Sequence, residues 1–404
     1  MLALRLARGA RPLVQFRRLL VVAASAGTGF LLLCTLGYAL GHPEAADGSA
    51  LRLAWCLAPT AATVYLAVAV ARTDPGTRPR SGLAAIGLGP ARLMALSAAT
   101  TAFTTALGSL LALLGFLHLR GDPTGMPFDG AAAGLLAADQ PLPVPAALTL
   151  LALVPFTASV ATAVALRPRG EPSPHGGDSD PDADDVAEVP AENPMPEPPA
   201  APRPAPGGLP WGVAALAGGF AVEAHASRPG GAPGTALPGG LTGGPVAVLA
   251  GWALTALGLA LAGPALTHLC GWLLQSVRPG AVRLLAGRGL QEDAGPIGRP
   301  LGVVCAVASG FYAMATLYAG TRPTPGPLTT LGAVVVGGCA VAALATAAVE
   351  VRQARADTVA ALVRLGAPAT VLRTAALLRA AALVAVFTPV TWVVAELAAM
   401  PLRG

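Results

Sequence analysis

Runs of about twenty apolar residues recur along this chain, and no other feature limits the fold so strongly. Residues 19–40, for example, read LLVVAASAGTGFLLLCTLGYAL. At 1.5 Å per residue, about twenty helical residues cross the roughly 30 Å hydrocarbon core of a bilayer, and a helix satisfies its own backbone there. Further runs lie at 51–71, 92–117, 146–166, 209–226, 246–273, 300–319, 331–350 and 373–398. Of the 404 residues 54% are hydrophobic and only 12% charged, about half the charge of a soluble domain. The expected fold is an all-α polytopic membrane protein with about 9–10 transmembrane helices. The weakest run is 209–226, which is short, glycine-rich and holds Glu223.

All 26 basic residues are arginine. A P-loop needs a lysine on the phosphates, so this chain has none and is not expected to be an enzyme that hydrolyses ATP. The pI near 9.3 does not point to nucleic acid, because the arginines collect at the ends of apolar runs. With the N-terminus in the cytoplasm, Arg5 to Arg18, Arg72 to Arg92, Arg167 to Arg203, Arg278 to Arg299 and Arg352 to Arg373 fall inside. Arg120, Arg228, Arg322 and Arg403 fall outside, with Arg52 at a boundary. Positive charge favours the cytoplasmic side, which sets a multi-pass cell-membrane protein with its N-terminus inside. The basic start resembles a signal peptide, but the apolar part is longer and another run follows closely. Cys34, Cys56, Cys270, Cys305 and Cys339 each lie in an apolar run without C-x-x-C spacing; they read as small buried hydrophobes. No metal or cofactor is expected.

Residues 167–208 interrupt the pattern. RPRGEPSPHGGDSDPDADDVAEVPAENPMPEPPAAPRPAPGG is proline-rich and acidic, with no aromatic residue. Such a segment cannot bury enough apolar area to offset its ordering entropy. It reads as a disordered cytoplasmic linker, and His175 with its aspartates as solvated charge.

Two stretches around the linker are alike. Residues 81–103 read SGLAAIGLGPARLMALSAATTAF and 358–383 read TVAALVRLGAPATVLRTAALLRAAAL. Leu83 falls on Leu362, Ile86 on Leu365 and Gly87 on Gly366; with one residue skipped, Pro90 falls on Pro368. Each follows two close runs and leads into a third, so the likeness has the form of an internal repeat. Val359, Leu362 and Val363 have the spacing of an apolar helix stripe, with Asp357 and Arg364 on the other face. Gly366 suits the left-handed residue that ends a helix. Pro368 suits the first turn of the next. The unit is a short amphipathic helix, a sharp turn and a membrane helix, and pressure on the short helix would tilt the long one. By itself such a helix also suits a simple interfacial anchor.

The stretch ARADTVAALVRLGAPATVLRTAALLRAAAL, residues 354–383, resembles the cytoplasmic signature of the FtsX-like permeases of ABC transporters. Residues 282–311, VRLLAGRGLQEDAGPIGRPLGVVCAVASGF, and 2–30, LALRLARGARPLVQFRRLLVVAASAGTGF, resemble that family's arginine-bearing entry into a module. The resemblance implies two helical modules of about four spans joined by two extra spans. Residues 1–166 would be the first module, 209–277 the connecting spans, and 278–404 the second module, with three spans and the family's last one missing. It also implies that the short helices couple to a separate ABC-type ATPase dimer on the cytoplasmic side. Their contacts would come from Leu83, Ile86, Gly87 and Pro90, and from Leu362, Arg364, Leu365, Gly366 and Pro368. The substrate stays open among lipids, lipoproteins, peptides and antibiotics. The loops at 41–50 and about 320–330 are too short for the large outer domain many members carry. The alternative is a proton-coupled secondary transporter using intramembrane Glu223 or Glu396, with His268 and Arg379 as candidate partners.

Overall fold

A computed structural model describes residues 12–73, 90–121, 130–134, 136–167, 207–226, 245–276, 280–320 and 326–400. They form helices joined by turns, with no strand among the described residues. In chain order the helices are α1 (Pro12–Gly41), α2 (Ala46–Trp55), α3 (Leu57–Thr73), α4 (Pro90–Arg120), α5 (Val144–Ala165) and α6 (Leu209–Ala226). There follow α7 (Pro245–Ser276), α8 (Ala281–Glu292), α9 (Ala294–Gly320), α10 (Pro327–Ala354), α11 (Ala356–Arg364) and α12 (Ala369–Ala399). The proline-rich segment at 168–206 and the candidate residues Leu83, Ile86 and Gly87 lie outside the described residues.

Among the described residues eight helices are long and apolar enough to cross a membrane, counting α2 with α3 as one. The chain is a multi-pass membrane protein. The run at 209–226 forms α6 within the bounds read from the sequence, but it is not one of the eight; Glu223 and His225 dilute its hydropathy. Most helices outrun their apolar stretches. α9 begins at Ala294, not near 300, because Pro296 stands in its first turn, where proline is tolerated, and Pro300 is carried inside it. The run 51–71 breaks at Cys56. Pro59 has no N–H to give the carbonyl of Trp55, and its ring crowds that carbonyl.

Four buried apolar clusters hold the bundle, and two of them show which helices each half gathers. In one, Val21 and Ala24 of α1, Leu66 and Ala67 of α3, and Ala158 of α5 pack with Val335, Cys339 and Ala343 of α10. In the other, Leu259 of α7 and Cys305 of α9 pack with Phe387 and Val394 of α12, flanked by Leu216 and Phe220 of α6. So α10, which follows α9 in the chain, lies in the core of the first half, while α9 touches both α10 and α12. All five cysteines are buried and free.

Glycine permits the close helix pairs. A Cβ on Gly108 would stand 2.5 Å from the Val22 carbonyl oxygen, and one on Gly258 2.7 Å from the Leu216 nitrogen. Hydroxyls bridge helices as well. Ser25 of α1 donates to the Thr105 carbonyl of α4 at 2.7 Å, and Ser309 of α9 to the Thr391 carbonyl of α12 at 3.2 Å. In each half, then, the first span donates a serine to the span after the corner. Thr28 and Thr63 share a hydrogen bond of 2.9 Å between α1 and α3. Such bonds average about 0.6 kcal/mol in membrane proteins, so each hydroxyl bridge adds only a little to the packing.

Residue pairs fix the helix directions. Thr28 meets Pro59 and Thr63 meets Ala24, so α1 and α3 are antiparallel. Leu31 faces Gly332 and Gly27 faces Val335, so α10 also runs against α1. Ser25 meets Thr105 while Gly29 meets Ala112, so α4 runs with α1. Ser309 meets Thr391 and Tyr312 meets Glu396, so α12 runs with α9. Gly298 packs on Gly263 and Gly302 on Leu259, so α7 opposes α9. Trp55 and Trp252 meet edge to face at 5.9 Å, which levels the start of α3 with the start of α7.

Candidate functional site

From these directions, α1, α4, α9 and α12 begin at one end of the bundle, and α3, α7 and α10 finish there; so does α5, whose Leu151 meets Gly29 and Ser109 while its Ala158 packs with Ala24. Both candidate corners join elements at that end: 74–89 links α3 to α4, and α11 links α10 to α12. Arg17, Arg18, Arg72, Arg92, Arg167, Arg283, Arg288, Arg299, Arg352, Arg355, Arg364 and Arg373 gather at it. Among the described residues only Arg52 and Arg120 lie at the far end. There Arg52 sits over the Tyr38 ring at 3.5 Å, and Arg120 donates to the carbonyl of Gln140.

The second corner has the geometry its residues predict. Gly366 has φ +89°, in the left-handed region. Its N–H donates to the Val363 carbonyl at 3.0 Å, and the N–H of Ala367 donates to the Leu362 carbonyl at 3.0 Å. This pair of bonds is the Schellman motif, and it satisfies two carbonyls that the helix end would leave open. Pro368 sits one place earlier than expected. It is the extended N-cap residue of α12 rather than part of its first turn. Pro90 is the first residue of α4, the position proline favours.

α11 makes few contacts with the rest of the bundle. Leu362 is half-buried. Val359, Val363, Arg364 and Gly366 are exposed, and Leu365 is 84% exposed. Two of the three residues in the apolar stripe of this short helix, Val359 and Val363, are therefore bare.

Behind the corner lies α8. Its Gly287 packs on the carbonyl of Gly271 in α7, where a Cβ would come within 2.6 Å. Arg355 is at once the last cap of α10 and the first of α11. Its Nη2 donates to the Gly289 carbonyl at 2.6 Å and pairs with Asp293 at 2.8 Å and Glu292 at 3.6 Å. Asp293 is the joint between α8 and α9. Burial pushes its carboxyl up to about 6, against the lowering pull of Arg355, with Glu292 adding to the rise. Although the pair is tight, the attraction does not offset the desolvation. From α12, Arg379 donates to the Leu285 carbonyl at 3.3 Å.

The two acids singled out inside apolar runs lie apart. Glu223 of α6 is 1% exposed and accepts from Thr255 of α7 at 3.4 Å. Glu396 of α12 accepts from Tyr312 of α9 at 2.5 Å. Each acid accepts from a hydroxyl, while Arg379, a candidate partner, turns to α8. No cluster of potential metal ligands occurs among the described residues.

The sequence places Arg355 among the cytoplasmic arginines and gives Asp293 no role, so their pairing is new in the structure. A signal was present: Glu292 and Asp293 are the only acids between Glu223 and Glu350. Compared with family models, curated proteins and solved structures, the chain matches none.

Proposed function

We propose that the chain is the membrane permease subunit of an ABC-type system, worked by a separate ATPase dimer on the arginine end. The observation that carries the reading is α11. It is a short helix held off the bundle, with Val359, Val363 and Leu365 bare to the outside and a rigid glycine corner joining it to α12. A partner's groove would bury that stripe, and its motion would tilt α12. Of the eight candidate spans, α12 is the least covered by its neighbours, so it has few contacts to break when it tilts.

The charge bias supports a cytoplasmic arginine end, with the start of α1 on the cytoplasmic side. α6 is then a ninth crossing. Gly212 meets Ala262, Gly219 meets Thr255 and Glu223 meets Gly251, so α6 runs antiparallel beside α7 along its length. A helix alongside a span shares its depth. This crossing also keeps both corners on one side.

The burial of Glu223 in the α6–α7 pair supports a second reading, a proton-coupled transporter. One experiment separates the two. The chain is purified with the ATPase that accompanies it, and ATPase stimulation is measured in liposomes. Leu365→Asp and Gly366→Trp are expected to abolish stimulation, and Glu223→Gln and Glu396→Gln to leave it. Uptake that follows a pH gradient without ATP and is lost in Glu223→Gln would overturn the permease reading.

A further inference from the structure

Resting on the permease reading, we infer that Arg355 is a positioning residue that straps α8 to the coupling corner, so that a push on α11 reaches α7 and α9 through α8. The strap connects joint to joint. Arg355 stands where α10 turns into α11, and Asp293 stands where α8 turns into α9. All three contacts run through Nη2, whose two N–H groups suffice for the Gly289 carbonyl and Asp293, while Glu292 at 3.6 Å adds charge attraction.

Gly289 is what admits it. A Cβ there would stand 2.9 Å from Arg355 Nη1 and 2.6 Å from Arg379 Cζ. Two arginines, from the corner and from α12, therefore reach the backbone of one short helix at one bare position. α8 is itself seated on α7 through Gly287 and Gly271. α11, by contrast, makes few contacts of its own. Without the strap, a displaced α11 would still pull on α12 through the glycine corner but would leave α8 behind. With it, α8 is carried along, and α8 bears on α7 and on the start of α9.

The charged groups near Asp293 are Glu292 on its own helix and Arg355 from the corner, with Arg379 reaching Leu285 and Gly289 from α12. Protonating Asp293 removes the closest of the Arg355 ion pairs. The strap should therefore slacken as the pH falls through about 6.

The test uses the whole chain in nanodiscs, with its native cysteines replaced by alanine. Spin labels are placed at Leu284→Cys and Val363→Cys, both exposed positions, and the label–label distance distribution is measured. A single narrow distribution is expected at pH 7.5, broadening toward pH 5 with a midpoint near 6. Arg355→Ala should be broad at every pH, and Arg355→Lys should recover part of the narrow population. Asp293→Asn should be broadened and indifferent to pH. A narrow distribution in Arg355→Ala, or a surviving pH midpoint in Asp293→Asn, overturns the inference. If Arg355→Ala does not fold, Asp293→Asn alone decides it. These readouts need no ATPase. A working strap in a chain that stimulates no ATPase would sink the permease reading and leave the strap standing; stimulation undiminished in Arg355→Ala would sink the role of the strap alone.

Discussion

Replacing Gly366 by alanine tests the corner most directly. At φ +89° an L-residue meets its own carbonyl, at a cost of about 1–2 kcal/mol. A Cβ there would touch nothing within 4 Å, so no steric term is added and the whole effect is backbone strain. The corner is fastened by the two bonds from Gly366 to Val363 and from Ala367 to Leu362, and α11 packs lightly. It can therefore open without the bundle unfolding, and the strain is released by that local opening. A cost of about 1–2 kcal/mol multiplies the open population by about 5–30. Amide hydrogen exchange in detergent or nanodiscs should show residues 366 and 367 exchanging faster by that factor in Gly366→Ala. Core amides such as Leu32 should be unchanged. Gly366→Asn should fall between, since asparagine tolerates the left-handed region better. Unchanged protection in Gly366→Ala, or Gly366→Asn exchanging faster than Gly366→Ala, would refute the reasoning.

Gly258→Leu should lower the melting temperature by the equivalent of about 1–3 kcal/mol of overpacking, because α6 lies 2.7 Å from the added Cβ; Gly218→Leu, where a Cβ meets nothing within 4 Å, is the control. Asp293 predicts a pH dependence of stability. Its folded carboxyl is raised from 3.8 to about 6, so the folded state holds the proton more tightly than the unfolded state. Stability should therefore fall as the pH rises from about 4 to 6, by at most about 3 kcal/mol. Melting curves of the parent and of Asp293→Asn should diverge over that window, and a stability of the parent that rises there would contradict it. Global stability and the tightness of the Arg355 strap thus change in opposite directions with pH.

Local punctuation was the most readable part of the chain. Gly366 and Pro368 announced their corner because few residues can take those backbone angles. The bounds of α6 at 209 and 226 came out as read, since proline- and glycine-rich segments flank it. The start of α9 did not: the prolines and glycines of 294–300 look like a loop in sequence, yet the helix runs through them. Helix neighbours were less legible still. α10 is apolar over most of its length, and nothing in its pattern tells a face meant for α3 from one meant for α9. For the same reason Arg355 could be placed at an end but not matched to Asp293, 62 residues away. Charge sign shows that a partner is wanted, not which acid the fold brings near.

The seating of α10 among α1, α3 and α5 has a consequence for how the gene product can be divided. Severed within 168–206, the chain would yield one fragment with a vacant slot and another with a surplus helix to fill it. Expressed together, such fragments should find each other in the bilayer and restore a single particle, whereas either alone should be cleared by proteolysis.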